Sequence, residues 1–88
     1  MAKWTKQAEA ASHIREILHQ RGLDIHSRQV TLADSQRWVI FQHKSKQIGI
    51  DSVAGVWVRK SEDEDWRCIA MPCTVSGAIQ AADFLSKD

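Results

Sequence analysis

The chain has no tyrosine, one proline, two cysteines and four glycines among its 88 residues, and it contains no internal repeat or low-complexity segment. Its longest apolar runs, such as residues 38–41, are far shorter than the roughly 20 residues that a membrane-spanning helix needs. The first residues also have no apolar core of the kind that secretory signals carry. We therefore expect a cytoplasmic protein that does not contact membranes.

Net charge is almost absent as well, since the chain has 12 Lys and Arg and 11 Asp and Glu, which gives a formal charge of +1. This balance by itself predicts no attraction to nucleic acid or to a membrane surface. The hydrophobic share of 43% and the charged share of 26% are typical of globular chains. A chain of this length holds one hydrophobic core, so we predict a single domain, residues 1–88. Self-association into a homodimer would increase the stability of such a small domain.

Motifs for catalysis, metals or cofactors are missing too. Cys68 and Cys73 are separated by four residues, a spacing that matches no standard zinc or redox motif, so we expect reduced thiols with packing roles. His13 and His19 are not at the i, i+4 spacing of helical metal ligands. No nucleophile elbow or phosphate-binding loop occurs. The sequence therefore predicts no enzyme, no metal and no cofactor.

Residues 5–21 have the composition and periodicity of an amphipathic helix. Thr5 is the expected N-cap, and Gly22 followed by Leu23 predicts a left-handed C-cap with an apolar residue folding back on the last turn. At about 100° per residue, one helix face gathers the apolar side chains, namely Ala10, Ala11, Ile14, Ile17 and Leu18.

Residues 74–85 are the second predicted helix, after Pro72 ends the preceding strand region. Its expected apolar stripe consists of Val75, Ala78, Ile79, Ala82 and Leu85. A second face holds Gly77, Ala81 and Phe84, which indicates close packing against either the first helix or a second subunit.

Between the helices, β-branched and aromatic residues occur in short runs that turn residues separate. The predicted strands are residues 28–33, 37–43, 47–50, 55–60 and 66–71, and the last two form a hairpin across an acidic loop. The run 37–43 is apolar on both faces at its middle, as a central strand would be. We predict a two-layer α+β fold in α-β-β-β-β-α order, an antiparallel sheet of four or five strands with the N-terminal and C-terminal helices on one face.

Four tryptophans are the most informative feature of the sequence. By strand alternation Trp57 shares a sheet face with Arg59, and both point outward if the intervening valines face the helices. Residues 28–60 contain six basic residues and two acidic ones, so this segment has an excess of positive charge. These observations select the candidate binding residues, which are Trp38, Trp57, Arg59, Trp66, Arg37, Lys44 and Lys46.

A sheet face that carries tryptophan and basic side chains predicts one of two functions. The first is a non-enzymatic contact with a protein partner, or with another copy of the chain, through the open sheet face or an edge strand. The alternative is nucleic-acid binding, in which the rings stack on bases and the basic side chains meet phosphates, although the acidic loop beside Trp66 would repel phosphate. A purely structural interpretation also remains, in which the tryptophans only cover their own sheet. The exposure of Trp38, Trp57 and Trp66 separates these interpretations.

Overall fold

The structure, a computed structural model, describes residues 3–87. In chain order the elements are β1 (Lys3–Trp4), α1 (Gln7–Gln20), β2 (Arg28–Thr31), β3 (Arg37–His43), β4 (Lys46–Ile50), β5 (Val56–Arg59), β6 (Arg67–Ala70), β7 (Cys73–Thr74) and α2 (Val75–Ser86). Strands β2 to β6 form one antiparallel sheet in sequential order. The predicted α+β fold is confirmed, and its sheet has five strands. Within residues 3–87, no helix is long and apolar enough to cross a membrane.

The core lies between one face of this sheet and the two helices. Alternate residues of β3, β4 and β5 point into it, so that Val39 is opposite Ile50 and Phe41 is opposite Ile48 in the sheet register. Helix α2 packs against β3 to β6, and α1 packs beside α2 and against β4. The buried side chains that α1 contributes are Ala10, Ile14 and Leu18. Three of the five residues predicted for the α1 face are thus fully buried, and Ala11 and Ile17 pack at its border.

The C-terminus of α1 ends as the sequence predicts. Gly22 has φ of 81°, a left-handed conformation that glycine adopts without steric cost. The N–H of Leu23 donates to the Leu18 carbonyl at 2.9 Å, and that of Gly22 donates to the His19 carbonyl at 3.0 Å. This pair of bonds is a Schellman motif, and Leu23 packs against the core as expected.

The N-terminus of α1 differs from the prediction, because helix formation begins at Gln7 and Lys6 occupies the N-cap position without a side-chain cap. The reason is a short strand that the sequence pattern does not reveal. Trp4 pairs with Cys73, so the chain is still extended at this point and turns into the helix two residues after Thr5. Trp4 is half-buried, and its ring stacks on His13 with 3.9 Å between centroids.

The predicted apolar stripe of α2 is partly wrong. Val75 and Ile79 keep 39% and 41% of their surface exposed. The side that packs is rotated toward the small residues, and its buried members are Gly77, Ala78, Ala81, Ala82 and Leu85. A Cβ on Gly77 would lie 2.6 Å from the Cβ of Ala70. The missing side chain at Gly77 therefore allows α2 to approach β6 of its own domain.

Candidate functional site

Three tryptophans meet on the sheet face that points away from the helices, and we call them the Trp cluster. Trp38 lies 5.6 Å from Trp57 and 5.3 Å from Trp66 between ring centroids. Their meeting point is Gly49, which lacks a side chain and is paired with Trp57 across β4 and β5. Trp38 retains only 7% exposure, whereas Trp57 and Trp66 are half-buried. The cluster is therefore a small second core on the outer face.

Arg59 belongs to this outer face and is held there by its own domain. Its guanidinium lies 4.2 Å from the ring centroid of Trp66, in cation–π contact. Its Nε donates to Oε1 of fully buried Gln47 at 2.6 Å. The Gln47 amide donates in turn to Gln42 at 3.1 Å, and Arg28 also donates to Gln42 at 3.2 Å. A polar ladder thus crosses four strands beside the Trp cluster.

Asp51 fixes the position of Trp57. The residue is buried, with 6% of its surface exposed. One oxygen accepts from the N–H groups of Val53 and Gly55 at 3.0 and 2.7 Å, and the other accepts from Nε1 of Trp57 at 2.9 Å. Both oxygens are occupied by donors of the β4–β5 loop and of β5, so this buried acid clamps the loop and orients the indole.

The remaining candidate residues lie elsewhere. Arg37 is exposed at the start of β3, and by strand alternation it lies on the same sheet face as Val39, which is the helix side. Lys46 points to the helix side of the sheet, where its ammonium donates to the Lys87 carbonyl beyond α2 and lies 5.5 Å from the Phe84 ring centroid. Lys44 occupies the β3–β4 turn with φ of 57°. The structure therefore brings together Trp38, Trp57, Trp66 and Arg59, and it separates Arg37, Lys44 and Lys46 from them.

Strand β2 is the most accessible part of the sheet. It lies at the end of the strand order, and its residues Arg28, Gln29 and Thr31 are exposed, with Val30 half-buried. Its pairing with β3 is regular over all four residues, without a bulge. Both sheet faces of this strand are thus open to solvent.

The hydrogen-bonding phase of β2 follows from the turn that ends it. The N–H of Leu32 donates to the Gln36 carbonyl at 2.8 Å. Hydrogen-bonded and non-hydrogen-bonded pairs alternate along an antiparallel ladder, so Val30 and Arg28 also bond to β3. The backbone N–H and C=O groups of Gln29 and Thr31 consequently point away from the sheet. We call this row of groups the β2 edge.

A groove runs beside the β2 edge on the helix side, between α1 and the start of β2. Arg15 of α1 lies at this groove, and its guanidinium is 3.3 Å from Nδ1 of His26. The groove is lined by Ala8, Ala11, Ser12, Arg15, Ser27, Gln29 and Val39. Gln29 lines the groove and is paired with Val39, so its side chain lies on the helix side of β2.

The two cysteines of the domain differ in their surroundings. Burial raises the pKa of the Cys73 thiol to about 11, which suppresses the thiolate and makes this cysteine a poor nucleophile. Cys68 is exposed on β6. Among residues 3–87, no group of three or more His, Cys, Asp or Glu side chains is arranged to hold a metal ion.

Sequence reasoning missed Gln42, Gln47 and Asp51. The two glutamines have the same strand alternation as Arg59, so their outward position was available from the pattern, but their bonding required the register between strands. Comparison with protein-family models, with curated proteins and with solved structures finds no match.

Proposed function

We propose that this domain is a non-enzymatic protein-interaction module that receives an extended segment of a partner chain, or of another copy of itself, at the β2 edge. The observation that supports this most is the outward row of backbone groups on Gln29 and Thr31, in a strand exposed on both faces. Exposed edges of this kind accept an additional strand through main-chain hydrogen bonds, and neighbouring pockets select its side chains.

The other edge of the sheet is less suited to this role. The pairing of β5 with β6 shifts register between Val56 and Trp57, and such irregularities twist an edge away from further pairing. Ala70 of β6 is also packed under Gly77 of α2. Edge β2 has neither feature, which favours it as the docking strand.

The Trp cluster supports the module in a different way from the one that the sequence suggested. Its rings pack on one another and on Gly49, and Arg59 is already bonded to Gln47 and stacked on Trp66. These contacts leave little ring surface for a ligand, and they stiffen the sheet whose edge does the binding. A rigid edge loses less conformational entropy when a partner strand is added.

Nucleic-acid binding is the alternative, and it has less support from the geometry. Base stacking needs accessible ring faces next to phosphate-binding cations. Trp38 is buried, and Lys46 points to the opposite side of the sheet from Arg59. Titration with single-stranded oligonucleotides at low and moderate salt tests this alternative, and binding that weakens steeply with salt would favour it over our proposal.

Selection of extended peptides from a random library displayed on phage tests the proposed function. Thr31→Pro removes an outward N–H and leaves the bonds to β3 in place, because proline is tolerated on an edge strand. The matched control Thr31→Val keeps the N–H. We expect selected peptides to bind the wild type and Thr31→Val alike, and to bind Thr31→Pro at least about tenfold more weakly, since a buried partner group is left unpaired.

Circular dichroism of both variants establishes that they are folded before binding is compared. If no peptide is enriched, or if enriched peptides bind Thr31→Pro as tightly as the wild type, the β2 edge is not the docking strand.

A further inference from the structure

We infer that the partner strand is β2 of a second copy, paired antiparallel across a two-fold axis at Val30, so that two five-stranded sheets join into one continuous sheet. This inference rests on the proposed function and names the partner. Isologous two-fold contacts are the commonest form of homodimer. Strand β2 is complementary to itself in one antiparallel register.

Only certain positions of the two-fold axis along β2 give an antiparallel pairing of the two strands. Directly opposed residues must lie on the same sheet face, so a two-fold axis has to pass beside one residue rather than between two. An axis at Thr31 would place Ala33, which lies in the turn, opposite Gln29. An axis at Val30 keeps Gln29 opposite Thr31 on both sides, and these are the residues whose backbone groups point outward. Each of these two pairs would exchange both of its hydrogen bonds.

Charge selects the same register. Arg28 is the only charged residue of β2. An axis at Arg28 would oppose the two guanidinium groups directly, and an axis at Gln29 would bring them into diagonal contact, and both arrangements are repulsive. With the axis at Val30, each Arg28 lies opposite Leu32 of the other copy, and the two arginines are about 13 Å apart along the strands. The formal charge of +1 per chain adds little further repulsion.

The surroundings of Val30 fit a close contact. Val30 is half-buried and is paired with Trp38 in its own sheet. At a non-hydrogen-bonded pair the two valines would approach closely, which extends the apolar surface of the Trp cluster across the axis. On the helix side, the groove between α1 and β2 of each copy would lie beside the axis.

The oligomeric state is the first test, measured by light scattering up to the millimolar range because a short interface predicts weak association. We expect the average mass to rise from 10.0 kDa toward twice that value for the wild type and for Thr31→Val. Thr31→Pro should stay at the monomer mass at every concentration. Association that persists in Thr31→Pro would place the dimer contact on another surface and would overturn the inference.

Cross-linking tests the register in a Cys68→Ser background, which removes the exposed native thiol. An axis at Val30 places the two Cα atoms about 4.5 Å apart, within the range that a disulfide spans. Val30→Cys should therefore form a covalent dimer on mild oxidation, whereas Arg28→Cys should not. Cross-linking of Arg28→Cys in preference to Val30→Cys would show a different register and contradict the proposal.

The failures of the two proposals are distinguishable. A strict monomer that still selects peptides lost in Thr31→Pro would refute the second copy as partner and leave the β2 edge as a docking strand. A monomer that selects no such peptides would refute both.

Discussion

Replacing Gly49 by alanine should destabilise the domain by disrupting the Trp cluster. The new Cβ would lie 2.6 Å from Cε3 and 2.8 Å from Cζ3 of Trp38, and 3.2 Å from Cη2 of Trp66. Carbon atoms in contact prefer about 3.5 to 4.0 Å, so the Trp38 ring must move by roughly 1 Å. It has little room to do so, because it is 7% exposed and packs between two other indoles.

The magnitude combines three effects. Overpacking of this kind costs about 1 to 3 kcal/mol, and each disturbed aromatic pair adds about 0.5 to 1.5 kcal/mol. Alanine offsets about 0.5 to 1 kcal/mol, because it restricts the unfolded chain more than glycine does. With both aromatic pairs of Trp38 disturbed, the free energy of unfolding should therefore fall by about 3 kcal/mol, which for a domain of this size corresponds to a decrease in Tm of about 12 to 24 °C.

Urea unfolding followed by far-UV circular dichroism measures this loss, and near-UV circular dichroism reports the Trp packing. Gly22→Ala is the matched control. Its Cβ would meet nothing within 4 Å, so its cost of about 1 to 2 kcal/mol comes from the left-handed backbone alone. That control should leave the near-UV spectrum unchanged. If Gly49→Ala is as stable as the wild type and keeps its near-UV spectrum, the outer face has no tightly packed second core.

Three further predictions concern single contacts, all measured by denaturant unfolding. Arg59→Ala should lower the free energy of unfolding by about 2 kcal/mol, because the buried Gln47 oxygen loses its donor; no loss would show that Gln47 finds another partner. Thr74→Ala should cost about 1 kcal/mol by removing the N-cap bond from the Gly77 N–H, and Thr74→Ser should restore it. Burial raises the pKa of Cys73 from 9.0 to about 11, so the unfolded thiol ionises first, and stability that is complete below pH 9.0 should decline as pH rises toward about 11. Cys73→Ala should lack that decline, and an equal decline in both proteins would refute its assignment to this thiol.

Most of the sheet was predictable because its alternation is local. The run 37–43 coincides with β3, and the valines of β5 face the helices as the period of two requires. Alternation also indicated that Trp57 and Arg59 share the outer face. The same rule, applied to Arg37 beside Trp38, would have placed Arg37 on the other side, so its grouping with the tryptophans reflects charge counting rather than geometry.

The features that the sequence could not predict depend on contacts between separate elements of the fold. The meeting of Trp38 with Trp66 depends on Gly49 of another strand, and no local pattern marks that gap. The packed side of α2 includes a close approach of Gly77 to Ala70 of β6, and periodicity alone did not indicate that Ile79 would keep 41% exposure. The edge on which a partner would dock follows from the irregular pairing of β5 with β6, a property of the folded sheet.

The small sheet of β1 and β7 has a kinetic consequence. Its two strands, Lys3–Trp4 and Cys73–Thr74, are separated by all of the other strands and by α1, so forming it closes the longest loop of the strand pairings within residues 3–87. Loop-closure entropy disfavours such a pairing until the intervening segments have already been ordered. This pairing should therefore form late during folding. It should also open early, and the amide hydrogens that it protects should exchange sooner than those of β3 and β4 at the sheet centre.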